Sequence, residues 1–180
     1  MDKNGVKKVF GAIKAGNLDH LNELVVTKED ANVTNSQGMP ALTFAIREHK
    51  TEAALFFIER GADVNKGFED EEYTGGRLRG VEDAPIEDAV ITDNVEVILA
   101  LLNKGADPEK GIDMAEASGH YAMKGKIEYW VRRKEKKEEL LEGEKKSPAD
   151  VRKAFSTDDA GTRLKKQEVR IPNGGKKAAQ

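Results

Sequence analysis

Cysteine is absent from the 180-residue sequence, aromatic residues make up only 6%, and no long apolar run occurs. Without cysteine the chain has no disulfide, no thiolate metal site and no thiolate nucleophile, which fits a reducing compartment. No stretch approaches the roughly 18 apolar residues that span a bilayer. The N-terminus lacks the apolar run after a basic start that marks a secretory signal. We therefore expect a cytoplasmic protein that does not engage a membrane.

Charge is divided unevenly along the chain. Residues 1–131 hold 15 Lys and Arg against 24 Asp and Glu, a net charge of −9. Residues 132–180 hold 15 Lys and Arg against 9 Asp and Glu, a net charge of +6. A separation of this size indicates an acidic body followed by a basic tail.

The tripeptide Gly-Ala-Asp occurs twice, beginning at Gly61 and at Gly105, and each copy follows an apolar stretch. An alanine stands 16 residues before each of these glycines, and the apolar positions between the two marks superimpose. The same pattern includes Ala12, which lies 33 residues before Ala45, and it recurs in a weaker fourth copy. Such a period indicates a stack of similar units, whose loops vary in length. The four repeat alanines are Ala12, Ala45, Ala89 and Ala115.

Each unit is predicted to contain two short antiparallel helices. Pro40 and Pro85 suit helix entrances, and we expect these first helices to end near Glu48 and Thr92. The glycine of each Gly-Ala-Asp is well placed as the left-handed residue that ends a second helix. The aspartate that follows can accept hydrogen bonds from loop amides. One such pair cannot bury its apolar stripe alone, so neighbouring pairs must stack.

The 33-residue step, the approach "GMPALTFA" at 38–45 and the exit "GADVN" at 61–65 resemble ankyrin repeats. The resemblance covers about residues 4–131. It implies an all-α ankyrin-repeat solenoid of about four helix-turn-helix repeats, with degenerate capping repeats at its ends. The position of the family's usual histidine holds Phe10, Thr43, Glu87 and Asp113. The hydrogen bonds that this histidine makes between family repeats are therefore expected to be absent.

The predicted domain organisation follows from this period. We expect a repeat domain over residues 1–131, a charged helical extension over 132–146, and a basic, largely extended or disordered tail over 147–180. A Gly-rich, charged insertion occupies 67–83, and insertions in repeat proteins map to loops on one face, often the binding face. The repeats are placed at about 4–34, 35–66, 67–110 and 111–131.

No catalytic or metal-binding constellation is evident. His20, His49 and His120 share no ligand spacing with a carboxylate. The acidic run at 69–72 lacks the ligand alternation and central glycine of a calcium loop. The stretch "TGGRLRG" at 74–80 lacks the Lys-Ser/Thr and the preceding strand of a phosphate loop. We therefore predict a protein that is not an enzyme and uses no cofactor or metal.

The resemblance also implies a binding surface. In ankyrin repeats, the residue before each repeat alanine and the residues two and three after it line the concave face. Aromatic and Arg side chains are enriched among interface anchors, although packing of Phe44 against a neighbouring loop is an equal alternative. The insertion is expected to extend this surface through Tyr73, Arg77 and Arg79. In the repeats the predicted contacts are Phe44, Arg47, Glu48, Asp88, Ile91, Thr92 and Met114.

The basic tail leaves several alternatives open. Its charge could contact an acidic surface or nucleic acid, it could fold back onto the acidic repeats, or it could stay solvated. If it becomes ordered on a partner, the ordering contacts are Val151, Phe155, Leu164, Val169 and Ile171.

The leading functional hypothesis is a non-catalytic protein–protein interaction module, either an adaptor or an inhibitor. It binds a protein partner through the concave repeat face and the 67–83 loop, while the basic tail contacts a second, acidic surface. The alternative is a nucleic-acid-associated protein that binds through residues 132–180. This alternative is less favoured because the tail has no interleaved aromatic residues and no nucleic-acid motif.

Overall fold

The structure, a computed structural model, describes residues 1–68 and 83–145, with side chains described as far as residue 138. One compact unit comprises Met1–Glu138. Glu139–Gln180 form a second unit, of which the described part is the helical backbone of 139–145.

Helices account for the regular structure of the described residues, in which there is no extended strand. They are α1 (Lys3–Ala15), α2 (Leu18–Leu24), α3 (Lys28–Ala31), α4 (Ala41–Arg47), α5 (Thr51–Glu59), α6 (Pro85–Ile91), α7 (Val95–Asn103), α8 (Pro108–Ala117) and α9 (Tyr121–Lys145). The first helices of the pairs, α1, α4, α6 and α8, pack in that order, and the second helices α2, α5 and α7 form another row. The predicted stack of helical pairs is confirmed.

The turn inside each helical pair has the same backbone conformation in all four repeats. The residue after the turn donates its N–H to the carbonyl of the repeat alanine at 2.7–3.0 Å in every pair. The residue before each donor is left-handed, with φ values of 55° at His49 and 52° at Asp93, where no glycine is present. These equivalent hydrogen bonds confirm the alignment of the repeat alanines. The left-handed residues are Gly16, His49, Asp93 and Gly119.

Asparagines of the preceding repeats hold the two Gly-Ala-Asp segments. Gly61 and Gly105 are left-handed, with φ values of 85° and 92°, as predicted. The side-chain Oδ1 of Asn32 accepts a hydrogen bond from the Asp63 N–H at 2.8 Å. Its Nδ2 donates to the Gly61 carbonyl oxygen at 3.4 Å. Asn65 makes the same two hydrogen bonds to the second segment, at 3.2 and 3.1 Å. Each Gly-Ala-Asp is therefore both a helix end and a contact between repeats.

A continuous apolar core runs through the stacked pairs. The side chains that face neighbouring helices are buried, and full burial of each large apolar side chain contributes about 1.5–3 kcal/mol relative to exposure. Stacking thus supplies the stability that a single short pair lacks. The largest buried side chains include Ile13, Leu21, Leu42, Ile46, Phe57, Ile58, Ile86, Ile98, Leu101, Leu102 and Ile127.

The fourth repeat has a polar outer surface where the others are apolar. In the third repeat, Val90 follows the repeat alanine and Ile98 lies eight positions after Val90. Both side chains are buried. The fourth repeat has Glu116 and Lys124 at these positions, and the Lys124 ammonium donates a hydrogen bond to the Glu116 carboxylate. This bond lowers the pKa of Glu116 and raises that of Lys124. The exchange of an apolar pair for an ion pair suits a terminal repeat.

Candidate partner-binding face

The first helices present one residue before each repeat alanine and one residue two positions after it. We call this set the inner-helix face. Along it, the later residue of one repeat contacts the earlier residue of the next between the first and second repeats and between the second and third, because consecutive first helices pack side by side. Its members are Gly11 and Lys14, Phe44 and Arg47, Asp88 and Ile91, and Met114 and Ala117.

The contact between the first and second repeats is aromatic. The Lys14 ammonium lies 5.6 Å from the centroid of the Phe44 ring, a cation–π geometry. The Phe44 ring also packs against Phe10, with 4.9 Å between ring centroids and a tilt of 57°. Both phenylalanines are half-buried and Lys14 is exposed. The pair therefore keeps part of its aromatic surface in solvent, beside a cation.

The contact between the second and third repeats is ionic. Arg47 Nε donates to Asp88 Oδ1 at 3.0 Å, and its Nη2 lies 3.7 Å from Asp83 Oδ2. The guanidinium also lies 5.3 Å from the centroid of the Phe68 ring. The side chains of Asp88 and Asp83 are only 5% and 8% exposed, against 18% for Arg47. This contact therefore lies largely inside the stack.

The remaining predicted repeat contacts have mixed placements. Ile91, two residues after the alanine of the third repeat, and Met114, one residue before the alanine of the fourth, are both half-buried. The Thr92 hydroxyl donates to the Asp88 carbonyl at 3.0 Å, a bond within its own helical pair. Glu48 is exposed at the end of α4. Partner binding by each of these side chains stays a prediction.

The structure brings together some of the predicted contacts and leaves others outside its description. Arg47 and Asp88 meet in one ion pair, so their charges already compensate each other within the chain. The insertion residues Tyr73, Arg77 and Arg79 lie outside the described residues. The same holds for the predicted tail contacts Val151, Phe155, Leu164, Val169 and Ile171.

Two residues at or beside the inner-helix face, Phe10 and Lys14, were not among the predicted partner contacts. Phe10 lies at the usual histidine position of the family, which points toward the stack, and its half-exposed packing on Phe44 depends on the next repeat. Lys14 lies two residues after the repeat alanine, the position that gives Arg47 in the second repeat. Applying the same position rule to the first repeat identifies Lys14. The sequence contains no comparable signal for Phe10.

No chemistry-bearing cluster competes with this face in the part of the chain that the structure describes. That part holds no group of three or more His, Cys, Asp or Glu side chains placed to bind a metal. His20 lies 3.4 Å from Glu23 on an exposed helix surface, and His120 lies 2.7 Å from the Ser118 hydroxyl. Within 1–68 and 83–145, no helix combines the length and apolarity needed to cross a bilayer.

Comparison with known proteins agrees with the fold. The family model described as ankyrin repeats in three copies matches residues 9–111. The chain is 38% identical over 96 residues to the human BCL-6 corepressor-like protein 1, covering 53% of this chain and 4% of that protein. It is 31% identical over 99 residues to an ankyrin repeat-containing protein of Treponema pallidum (strain Nichols), covering 55% of this chain and 30% of that protein. The similarity therefore spans less than a third of either relative. Because the family model covers more than half of the chain, this protein belongs to the ankyrin repeat family.

Proposed function

We propose that the protein is a non-catalytic adaptor or inhibitor that binds a protein partner through its inner-helix face. Ankyrin repeats generally mediate protein–protein interaction, which supports the class of function. The observation that carries the choice of surface is the half-exposed Phe10–Phe44 pair beside Lys14. Aromatic side chains are enriched among the residues that supply most of the binding energy at interfaces.

The insertion is part of the proposed binding surface because of where its ends lie. Phe68 and Asp83 exchange backbone hydrogen bonds at 3.0 and 3.2 Å, so the two ends of the loop meet. Both residues also lie against Arg47, which belongs to the inner-helix face. A partner held by the first helices is therefore near the base of the 67–83 loop.

A matched pair of variants tests the proposed surface. Phe44→Ala removes the aromatic pair, whereas Leu99→Ala removes an apolar side chain that is 38% exposed on the second-helix row. Wild-type and variant full-length chains are used as baits at equal folded concentration, and the proteins retained by each are quantified by mass spectrometry. We expect a protein retained by the wild type and by Leu99→Ala to be lost with Phe44→Ala. Equal retention by all three baits contradicts the proposed surface.

The second candidate, nucleic-acid binding through residues 132–180, is favoured by one described feature. Arg132, Arg133, Lys136 and Lys137 are exposed on α9, and Lys and Arg side chains bind phosphates with release of counterions. Replacing these four residues by Gln in the full-length chain should weaken oligonucleotide binding and lower the slope of its salt dependence. If the wild-type chain binds no oligonucleotide at low salt, this candidate is excluded.

We also propose, as part of the adaptor function, that the basic tail contacts a second, acidic surface. The net charge of +6 on residues 132–180 supports this role. The same Gln variant should weaken that contact without affecting retention through Phe44.

A further inference from the structure

Helix α1 differs in charge from the rest of the repeat body. Its sequence, KNGVKKVFGAIKA, contains four lysines and no acidic residue. Residues 1–131 as a whole carry a net charge of −9. Helix α1 is thus a basic helix within an acidic body.

Three of the four α1 lysines lie on the same side of the helix as Phe10. Lys3, Lys7, Phe10 and Lys14 are separated by four, three and four residues, a spacing that places them on one side of a helix. The three lysines are exposed and Phe10 is half-buried against Phe44. The opposite side of α1 is buried in the core through Val9, Ala12 and Ile13. We call Lys3, Lys7, Phe10, Lys14 and Phe44 the α1 patch.

The α1 patch is unfavourable for the isolated protein in several ways. Lysines four residues apart on a helix repel each other by a few tenths of a kcal/mol. Lys3 lies at the first helical position, where the helix macrodipole favours an acidic side chain. Within the described residues no carboxylate lies within 4 Å of Lys3, Lys7 or Lys14, whereas the Arg47 guanidinium is compensated by two aspartates. Carboxylates from a partner would relieve all of these terms.

We propose that the α1 patch binds an acidic segment of the protein partner, with an apolar side chain placed on the Phe10–Phe44 pair and carboxylates beside the lysines. This inference rests on the proposed function, since it specifies the chemistry of what the inner-helix face binds. Opposite charge steers the encounter and sets specificity, and the aromatic pair supplies the buried anchor. The basic tail of this chain is disfavoured as the occupant, because its net charge of +6 has the same sign as the patch.

Peptide selection on the full-length chain tests this proposal. A random-peptide phage library is selected on the immobilised wild-type chain, and the enriched sequence is synthesised as a fluorescent peptide. We expect enriched sequences in which Asp or Glu flank Leu, Phe or Trp. The affinity of the synthetic peptide should fall as salt is raised, because the Debye length is shortened to about 3 Å at 1 M.

Charge reversal provides the matched comparison. Lys7→Glu/Lys14→Glu should weaken the selected peptide by about tenfold or more, a factor that corresponds to at least 1.4 kcal/mol. Lys66→Glu/Lys104→Glu changes the net charge equally at exposed sites away from α1 and should leave affinity within about twofold. Circular dichroism checks that both double variants keep their helices.

The outcomes separate this inference from the proposed function. Loss of binding with Phe44→Ala but not with Lys7→Glu/Lys14→Glu keeps the inner-helix face and overturns the acidic partner. Enrichment of neutral or basic peptides also overturns it. So does displacement of the selected peptide by an oligonucleotide. If no peptide is enriched on the wild type over Phe44→Ala, the inner-helix face itself is rejected along with the inference.

Discussion

Two contacts at equivalent positions of consecutive repeats differ in chemistry. Lys14 contacts Phe44 between the first and second repeats, and Arg47 contacts Asp88 between the second and third. The first contact is half-exposed, whereas the side chain of Asp88 is only 5% exposed. The same repeat geometry therefore buries an ion pair in one place and leaves an aromatic pair half-exposed in the other. Residue type, rather than position in the repeat, produces this difference, and the half-exposed contact is the one that we propose for the partner.

The energetic reason lies in what each contact leaves behind when it is broken. Removing one member of a buried ion pair leaves an uncompensated charge in the protein, a loss of about 3–5 kcal/mol. Removing the cation from an exposed cation–π contact leaves a solvated ring, a loss of about 0.5–1 kcal/mol. The two contacts should therefore respond very differently to comparable substitutions.

The largest effect is expected for Arg47→Met, which keeps an unbranched side chain and removes the guanidinium charge. Because Asp83 and Asp88 lose the Arg47 guanidinium, the free energy of unfolding should fall by about 3 kcal/mol, the low end for a buried pair since Arg47 is partly exposed. Urea denaturation followed by circular dichroism measures the change.

Arg60→Met is the control for Arg47→Met. Arg60 also joins two repeats, but its guanidinium donates to the neutral acceptors Val25 O at 2.9 Å and Asn22 Oδ1 at 2.7 Å. Its replacement removes two hydrogen bonds and the contact with the Phe56 ring at 5.0 Å but no carboxylate partner, and should cost about 2 kcal/mol. Equal losses in the two variants would contradict a special role for the buried ion pair.

A smaller effect on stability is expected for Phe44→Ala. Replacing a fully buried Phe by Ala costs about 3–5 kcal/mol, and because Phe44 is half-buried we expect about 2 kcal/mol. The variant should therefore stay folded at room temperature while it loses its partner. A loss as large as that of Arg47→Met would indicate that Phe44 belongs to the core.

Lys14→Met should change stability least among the contacts of the inner-helix face. The ammonium is exposed above the Phe44 ring, so the free energy of unfolding should fall by less than about 1 kcal/mol. The effect on binding an acidic peptide should be larger than the effect on folding. Denaturation and fluorescence-anisotropy titrations of the same variant measure the two effects. A larger loss of stability than of peptide affinity would mean that Lys14 serves the fold and not the binding of a partner.

The exposed Glu116–Lys124 pair gives the smallest expected effect and a reference for the buried one. The hydrogen bond from Lys124 holds the pKa of Glu116 below its ordinary value of 4.5. A depressed pKa in the folded state means that the pair stabilises the fold above that value, and that this contribution is lost as pH falls through the lower, folded pKa. In Lys124→Ala the pKa of Glu116 should rise toward 4.5, as measured by NMR titration of its side-chain carboxyl group. An unchanged pKa would contradict the hydrogen bond.

Much of the fold could be predicted from local signals in the sequence. The first helices end at Arg47 and Ile91, beside the predicted ends at Glu48 and Thr92. Gly61 and Gly105 adopt the predicted left-handed conformation, because their place after an apolar stretch and before Asp is a local pattern. Family membership followed from the same residues.

The binding surface was predicted less completely, because it depends on contacts between repeats. The position rule predicts Arg47 and Asp88 as partner contacts but does not predict that they pair with each other across 41 residues of sequence. Partner binding by these two residues and by Phe44 stays a prediction. The contacts predicted in the insertion and the tail stay predictions too, as do those of Glu48, Ile91, Thr92 and Met114.

The sequence by itself determined the repeat period, the helix ends and the family, since each depends on residues close together in the chain. Only the tertiary structure decided that Phe10 packs on Phe44 and that Arg47 is compensated by Asp83 and Asp88. The offset between consecutive first helices determines which side chains meet, and that offset arises from packing of the whole stack.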